Sequence, residues 1–190
     1  MPASAPLPDA AAVAGCYAYD GQRMLVIARG ADDGPAGTAL TRARWRALDI
    51  AAGLPQLYAA TSGQFVAQML NLDRIGAIAF DKGCYTGQEV IARAHYRGRV
   101  KRRMQRFVSS QPLRLAPGDS GQLADARTFR VIDALEREDG RCEFLAVAAL
   151  PGAAEAEASA PASEPPPREG SPTAQPISAE PLPLPYPLEG

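Results

Sequence analysis

The residue types best suited to chemistry fall in one run, Asp81-Lys82-Gly83-Cys84-Tyr85-Thr86-Gly87-Gln88-Glu89. Thr86 and Glu89 stand three apart, the spacing of a capping box in which a hydroxyl and a carboxylate satisfy the first free backbone donors of a helix. Tyr85 and Val90 have the spacing of the apolar pair that fixes how a chain enters such a helix. Cys84 therefore precedes a helix start, where the positive end of the helix dipole and the charge of Lys82 both favour thiolate over thiol. Gly83 and Gly87 remove side-chain bulk from both sides of the sulfur. The alternative is an inert buried cysteine beside an ordinary capped helix.

The surrounding elements read as apparatus for holding that run. Ile75-Gly76-Ala77-Ile78-Ala79-Phe80 predicts a strand leading into it, and residues 87 to about 96 predict the helix leading out. On that helix Val90, Ile91 and Ala94 face a core, Glu89 and Arg93 are four apart and can pair, and Gly98 suits the position after the last turn. His95, the only histidine, has no identifiable catalytic partner. Upstream, Thr61 or Ser62 can cap a helix whose apolar stripe is Phe65, Val66, Met69 and Leu70. Thr41 can cap another through about Ala52, with Trp45, Leu48 and Ala52 on one side and Gly53-Leu54-Pro55 as its stop. Nearer the start, Tyr17-Ala18-Tyr19 and Met24-Leu25-Val26-Ile27-Ala28 flank Asp20-Gly21, a turn pair that predicts a hairpin.

Beyond Val100 the pattern changes to strands, over 103–108, 122–124, 128–135 and 142–149, separated by Pro117-Gly118-Asp119 and Asp139-Gly140 turns. Short strands with tight turns predict a small antiparallel barrel, with Cys142 in its core. The expected organisation is α+β: a flexible segment 1–12, an α+β domain over 13–98, the barrel over 99–150, a disordered Pro/Ala-rich segment 151–178 and a C-terminal segment 179–190 that docks back on the body. The tail's Pro, Ala, Glu and Ser bury too little apolar surface to offset chain ordering. Its last leucines and Tyr186 are spaced to lie in a groove.

Composition narrows the class. Nearly half of the 190 residues are hydrophobic, enough for a real core, while 18 prolines crowd toward the two ends. Cys16, Cys84 and Cys142 are an odd, widely spaced set, which argues against a disulfide framework and against a metal held by this chain alone. No secretory pattern or membrane-length apolar run occurs, so the expectation is a cytoplasmic protein with no membrane association. Net charge is −1, yet Arg93, Arg97, Arg99, Lys101, Arg102, Arg103 and Arg106 form a basic run able to meet phosphates or an acidic partner.

The run Lys82-Gly83-Cys84-Tyr85-Thr86-Gly87-Gln88-Glu89 resembles the signature of the YgfZ-type folate-binding proteins, relatives of the aminomethyltransferase of the glycine cleavage system. The likeness extends through residues 45–55, Ser62-Gly63-Gln64-Phe65, residues 68–72, residues 92–103 and the closing Pro183-Leu184-Pro185-Tyr186, and covers the C-terminal part of the family's usual chain. Ala67 departs from it, standing where members usually carry proline. The resemblance implies a partial ferredoxin-like, aminomethyltransferase-type folate-binding domain followed by a β-barrel. It also implies tetrahydrofolate as cofactor near Trp45, Cys84 as functional thiol supported by Lys82, and a role in iron–sulfur cluster assembly or repair. Expected partners are iron–sulfur assembly proteins or client enzymes, including those that modify tRNA. Two other readings stand beside it: a tetrahydrofolate-dependent aminomethyl- or methyltransferase, and an RNA-binding module using residues 93–106.

Overall fold

A computed structural model describes residues 13–18, 23–28, 41–80, 82–83, 87–89, 91–92, 100–151 and 176–188. The chain divides into two compact units, residues 1–41 and 42–190. In the first, β1 (Val13–Ala18) and β2 (Met24–Ala28) pair antiparallel, with a register shift between Val13 and Gly15. These are the two strands that flank the Asp20-Gly21 pair.

The second unit is built on five antiparallel strands: β3 (Arg102–Pro112), β4 (Ser120–Gln122), β5 (Thr128–Glu136), β6 (Arg141–Ala149) and β7 (Ala179–Leu182). Their order across the sheet is β4-β5-β6-β3-β7. With one helix, α1 (Arg42–Ala51), and one 3-10 helix (Ala67–Leu70), the described unit is a small α+β assembly dominated by antiparallel sheet. The sheet is not closed into a barrel ladder. Its two sides meet at one point, a parallel bridge between Leu123 and Ile177, where Ile177 N–H donates to the Gln122 carbonyl at 2.7 Å and Ala124 N–H to the Ile177 carbonyl at 3.0 Å.

Both faces of the sheet are apolar, and the alternation on β6 shows why. Cys142, Phe144, Ala146 and Ala148 point into one cluster with Phe107, Phe129, Val131, Leu123 and Ile177. Leu145 and Val147 point the other way, into a cluster with Met104, Ile132, Leu70 and Ile50 that α1 and the 3-10 helix cover. A strand buried on both faces reads as a continuous apolar run, as Phe144 to Ala149 does. On β5 a register shift between Val131 and Asp133 inserts Ile132 as an extra residue. Such a bulge reverses which face the following residues address. Ile132 and Asp133 both turn toward α1, and Ala134 returns to the first cluster.

Helix α1 falls where its caps and spacing predict, but it presents a different side to the sheet. Asp49 and Ile50 are its buried residues, while Trp45 and Leu48 are half-buried. The reason is electrostatic: Asp133 offers α1 a carboxylate with no exposure to solvent, and the helix turns Arg46, one turn from Ile50, to meet it. Gly53 then ends the helix at φ 65°, a left-handed conformation that glycine adopts without strain. It also seats the C-terminal segment. A side chain at residue 53 would collide with the Tyr186 hydroxyl and lie 2.7 Å from Leu184 Cδ2.

Two further sequence expectations give way. Thr61 caps no helix; its hydroxyl donates to the Tyr58 carbonyl at 3.2 Å and accepts from Tyr58 N–H at 3.1 Å, closing a local turn. Between Thr61 and Leu72 helical structure is confined to Ala67–Leu70, begun by Val66 without a side-chain cap. Residues 75–80 form no strand. Asn71 is left-handed at φ 58°, its carbonyl accepts from Arg74 and Ile75, and the Leu72 carbonyl accepts from Ala77. Local turns thus take the donors that a ladder would use, and Gly76 at φ 70° completes the bend.

Candidate functional site

Several of the residues singled out for chemistry, Cys84, Tyr85, Thr86 and Arg93, lie outside the described residues, as do Asp81, Val90, His95, Arg97 and Arg99. The segments 1–12 and 152–175 do so too. On either side of the cysteine, Lys82 and Gly83 are exposed, as are Gly87 and Glu89, and Gln88 is half-buried. Gln88, Glu89, Ile91 and Ala92 are helical, and Ile91 N–H donates to the Gly87 carbonyl at 3.5 Å, so a helical turn follows the cysteine as its sequence predicts. Gln88 Nε2 donates to the Lys82 carbonyl at 3.4 Å and ties that turn to the residues before the thiol.

The turn is fastened to the body from below. Gln68, on the 3-10 helix and 1% exposed, donates from Nε2 to the Ile91 carbonyl at 2.7 Å. The 3-10 helix is itself held from three sides. Arg103 Nη1 donates to the Gln68 carbonyl at 2.9 Å, and its guanidinium grips both oxygens of Asp73 at 3.0 Å. Asn71, fully buried, donates from Nδ2 to the Met104 carbonyl at 2.7 Å and to the Tyr186 hydroxyl at 3.4 Å. Tyr186 in turn donates to the Gly53 carbonyl at 2.7 Å, so the C-terminal segment, α1 and the 3-10 helix share one polar network. Gln68 and Asn71 were legible as polar residues interrupting an apolar stripe, a pattern that points to bonding to backbone rather than packing.

A second polar centre lies between α1 and β5. Asp133 Oδ1 accepts from Arg46 Nε at 2.6 Å, from the Tyr58 hydroxyl at 3.2 Å and from Ala134 N–H at 2.8 Å, and Arg46 Nη2 closes an ion pair with it. Asp133 Oδ2 is buried without a hydrogen-bond partner. Burial tends to lower the Arg46 guanidinium, but the bond and charge of Asp133 outweigh it and leave the group raised. Trp45, the proposed folate contact, is on the same helix.

Of the basic run, Arg102 donates to Thr128 Oγ1 and carbonyl at 3.1 and 3.2 Å, and Arg106 pairs with Glu143 at 2.7 Å. The Arg103 side chain is 6% exposed. Arg103 is thus an internal strut, which removes it from any phosphate-facing surface. Among the described residues no group of three or more His, Cys, Asp or Glu side chains is placed to hold a metal ion, and no helix is long and apolar enough to cross a membrane.

One buried thiol, Cys142, and two half-buried phenols, Tyr58 and Tyr186, give the unit a defined response to alkali. Burial pushes the Cys142 thiol above its ordinary 9.0, and burial raises the Tyr186 phenol above 10.0 against an opposing bond from Asn71. Burial, then the charge of Asp133, raises Tyr58 likewise. Each folded-state pKa lies above the unfolded value, so the associated stability is intact below about pH 9 and is lost as pH rises through the folded values, because the unfolded chain sheds protons first. Denaturation midpoints are expected to fall steadily above that pH, and Tyr186→Phe should flatten the decline. A midpoint constant to pH 11 would contradict this assignment.

No family model matches the chain. It is similar to the tRNA-modifying protein YgfZ of Escherichia fergusonii, with 35% identity over 139 residues. That alignment covers 66% of this chain, which spans 42% of the relative's length.

Proposed function

We propose that this chain is the cysteine-bearing part of a YgfZ-type, folate-binding accessory factor for iron–sulfur cluster assembly or repair, whose clients include iron–sulfur enzymes that modify tRNA. The observation that carries the reading is the coincidence of the Lys82-to-Glu89 signature with 35% identity to a protein named for tRNA modification. On this reading Cys84 is the functional thiol and Lys82 supports its ionised form. The exposed flanks at Lys82, Gly83, Gly87 and Glu89 support access to it. The strands β3 to β7 correspond to the family's β-barrel domain, a match supported by the Leu123–Ile177 tie, and residues 13–98 correspond to part of its folate-binding domain.

Tetrahydrofolate fits the chemical kind of the residues present. Trp45 is half-buried on α1, and an indole is the kind of flat aromatic face that suits a pterin ring. When bound, that cofactor would supply the one-carbon-carrying nitrogens, and this chain's part is to hold it. The transferase alternative needs an open acid or base. Asp49 and Asp133, the carboxylates whose charges act on Tyr58, are both buried, which favours the accessory reading.

In a strain lacking its YgfZ-type protein, this chain is expected to restore iron–sulfur enzyme activity. Cys84→Ser should lower that restoration by roughly fivefold or more, since a hydroxyl does not replace a thiolate near neutral pH. Failure of the unaltered chain to restore activity, or full restoration by the serine variant, overturns the proposal.

A further inference from the structure

We infer that Tyr186 is a positioning residue for α1: its hydroxyl locks the end of the helix that carries Trp45, so that the docked C-terminal segment, residues 176–188, sets the affinity of the folate site. This rests on the reading of Trp45 as the folate contact, but the tie itself is tested without folate. The helix is held at two points. In its first half Arg46 Nε donates to Asp133 Oδ1 of β5 at 2.6 Å, and at its end the Gly53 carbonyl accepts from the Tyr186 hydroxyl at 2.7 Å. Gly53 is buried, so a carbonyl deprived of that donor does not simply turn to water.

The end of the helix is shaped to take this tie. Gly53 N–H donates to the Ile50 carbonyl at 3.1 Å and Leu54 N–H to that of Asp49 at 2.9 Å, which closes the helix and leaves the Gly53 carbonyl to be met from outside it. Tyr186 is fixed in turn. Its oxygen accepts from Asn71 Nδ2 at 3.4 Å, and the same amide donates to the Met104 carbonyl of β3 at 2.7 Å. Leu184 packs into the cluster of Ile50, Leu70 and Met104, so the segment grips α1 by an apolar contact as well as a polar one. Residues 182, 184, 186 and 188 are half-buried while the prolines between them are exposed, and with that alternation Tyr186 meets Gly53 in one register only. A ten-residue helix moves as a stiff rod, so release of its end is felt at Trp45.

Two variants separate positioning from plain stabilisation. Tyr186→Phe keeps the ring and deletes the donor to Gly53, whereas Ser178→Ala loosens the same segment where it meets β3, through the 3.0 Å contact between the Ser178 and Ser110 hydroxyls. Both melting temperatures are expected to stay within about 4 °C of the parent's. Trp45, the only tryptophan, reports on α1. Its bimolecular quenching constant with acrylamide should rise roughly 1.5-fold or more in Tyr186→Phe, as a local opening requires, and match the parent's in Ser178→Ala. Tyr186→Phe should also weaken binding of 5-formyltetrahydrofolate roughly fivefold, the low end for coupled sites, while Ser178→Ala leaves it unchanged. Unchanged quenching or unchanged folate affinity in a folded Tyr186→Phe, or an equal effect of Ser178→Ala, overturns the proposal. A parent that binds no folate refutes the cofactor reading instead, and the quenching comparison still decides the tie. Should Tyr186→Phe not fold, hydrogen exchange on the unaltered chain decides. Backbone amides of residues 50–54 should exchange in step with those of residues 182–186; protection about 100-fold longer-lived over 50–54 shows that α1 is seated without the segment.

Discussion

Phe144→Ala is expected to destabilise the larger unit by about 4 kcal/mol, the middle of the range for truncating a fully buried aromatic. Phe144 has no solvent exposure and stands on β6, which pairs with β3 on one side and β5 on the other. Its ring stacks on Phe107 at 5.5 Å and tilts against Phe129 at 5.7 Å, so the deletion removes a packing partner from both neighbouring strands. Hydrogen-bonded strands surround the hole, and they cannot collapse into it without breaking ladder bonds. Urea unfolding followed by Trp45 fluorescence measures the loss. A value below about 1.5 kcal/mol would mean that the site relaxes, and that this cluster is not the close-packed centre of the sheet.

Arg46→Ala should be nearly as damaging, at about 3 kcal/mol, because it strands a carboxylate that has no exposure and one oxygen already unpartnered. The low end of the range for broken buried pairs applies, since the Arg46 side chain remains 32% exposed and part of its interaction is screened. Tyr58 keeps one bond to Asp133 in that variant, at 3.2 Å, but a neutral hydroxyl does not replace the cation. The pair as a whole need not stabilise the fold. Arg46→Met combined with Asp133→Leu should recover most of the loss, because apolar residues of similar volume avoid the desolvation of both charges. A double variant as unstable as Arg46→Ala alone would show that the ion pair itself, not the avoidance of an unpaired charge, holds α1 to β5.

Where side-chain alternation alone governs, the sequence foretold the structure well. The stretches read as strands at 103–108, 128–135 and 142–149 lie within β3, β5 and β6, and the first helix begins and ends within a residue or so of its expected limits. What escaped the reading depends on residues far apart in the chain. The face that α1 presents follows from Asp133, which the Ile132 bulge delivers from another strand. Residues 75–80 have strand-like composition, yet the left-handed Asn71, buried to bond Met104 and Tyr186, starts a run of turns that overrides it. At the site, the motif itself was plain, whereas Gln68, a polar residue beside the stripe of Phe65, Val66, Met69 and Leu70, was assigned no bonding role. Its role depends on a bond 23 residues away in sequence.

The placement of β7 carries a consequence for how the molecule is made. β3 emerges from the ribosome well before residues 179–182, so the nascent chain passes through an interval in which a long strand has one free border. Only when Ala179 to Leu182 have been synthesised can that border be sealed and Ile177 clasp Leu123 at the opposite margin. Proteolysis within residues 152–175 would sever the covalent link to this final clasp without cutting any described strand, leaving a nicked sheet whose last member is retained by noncovalent bonds alone.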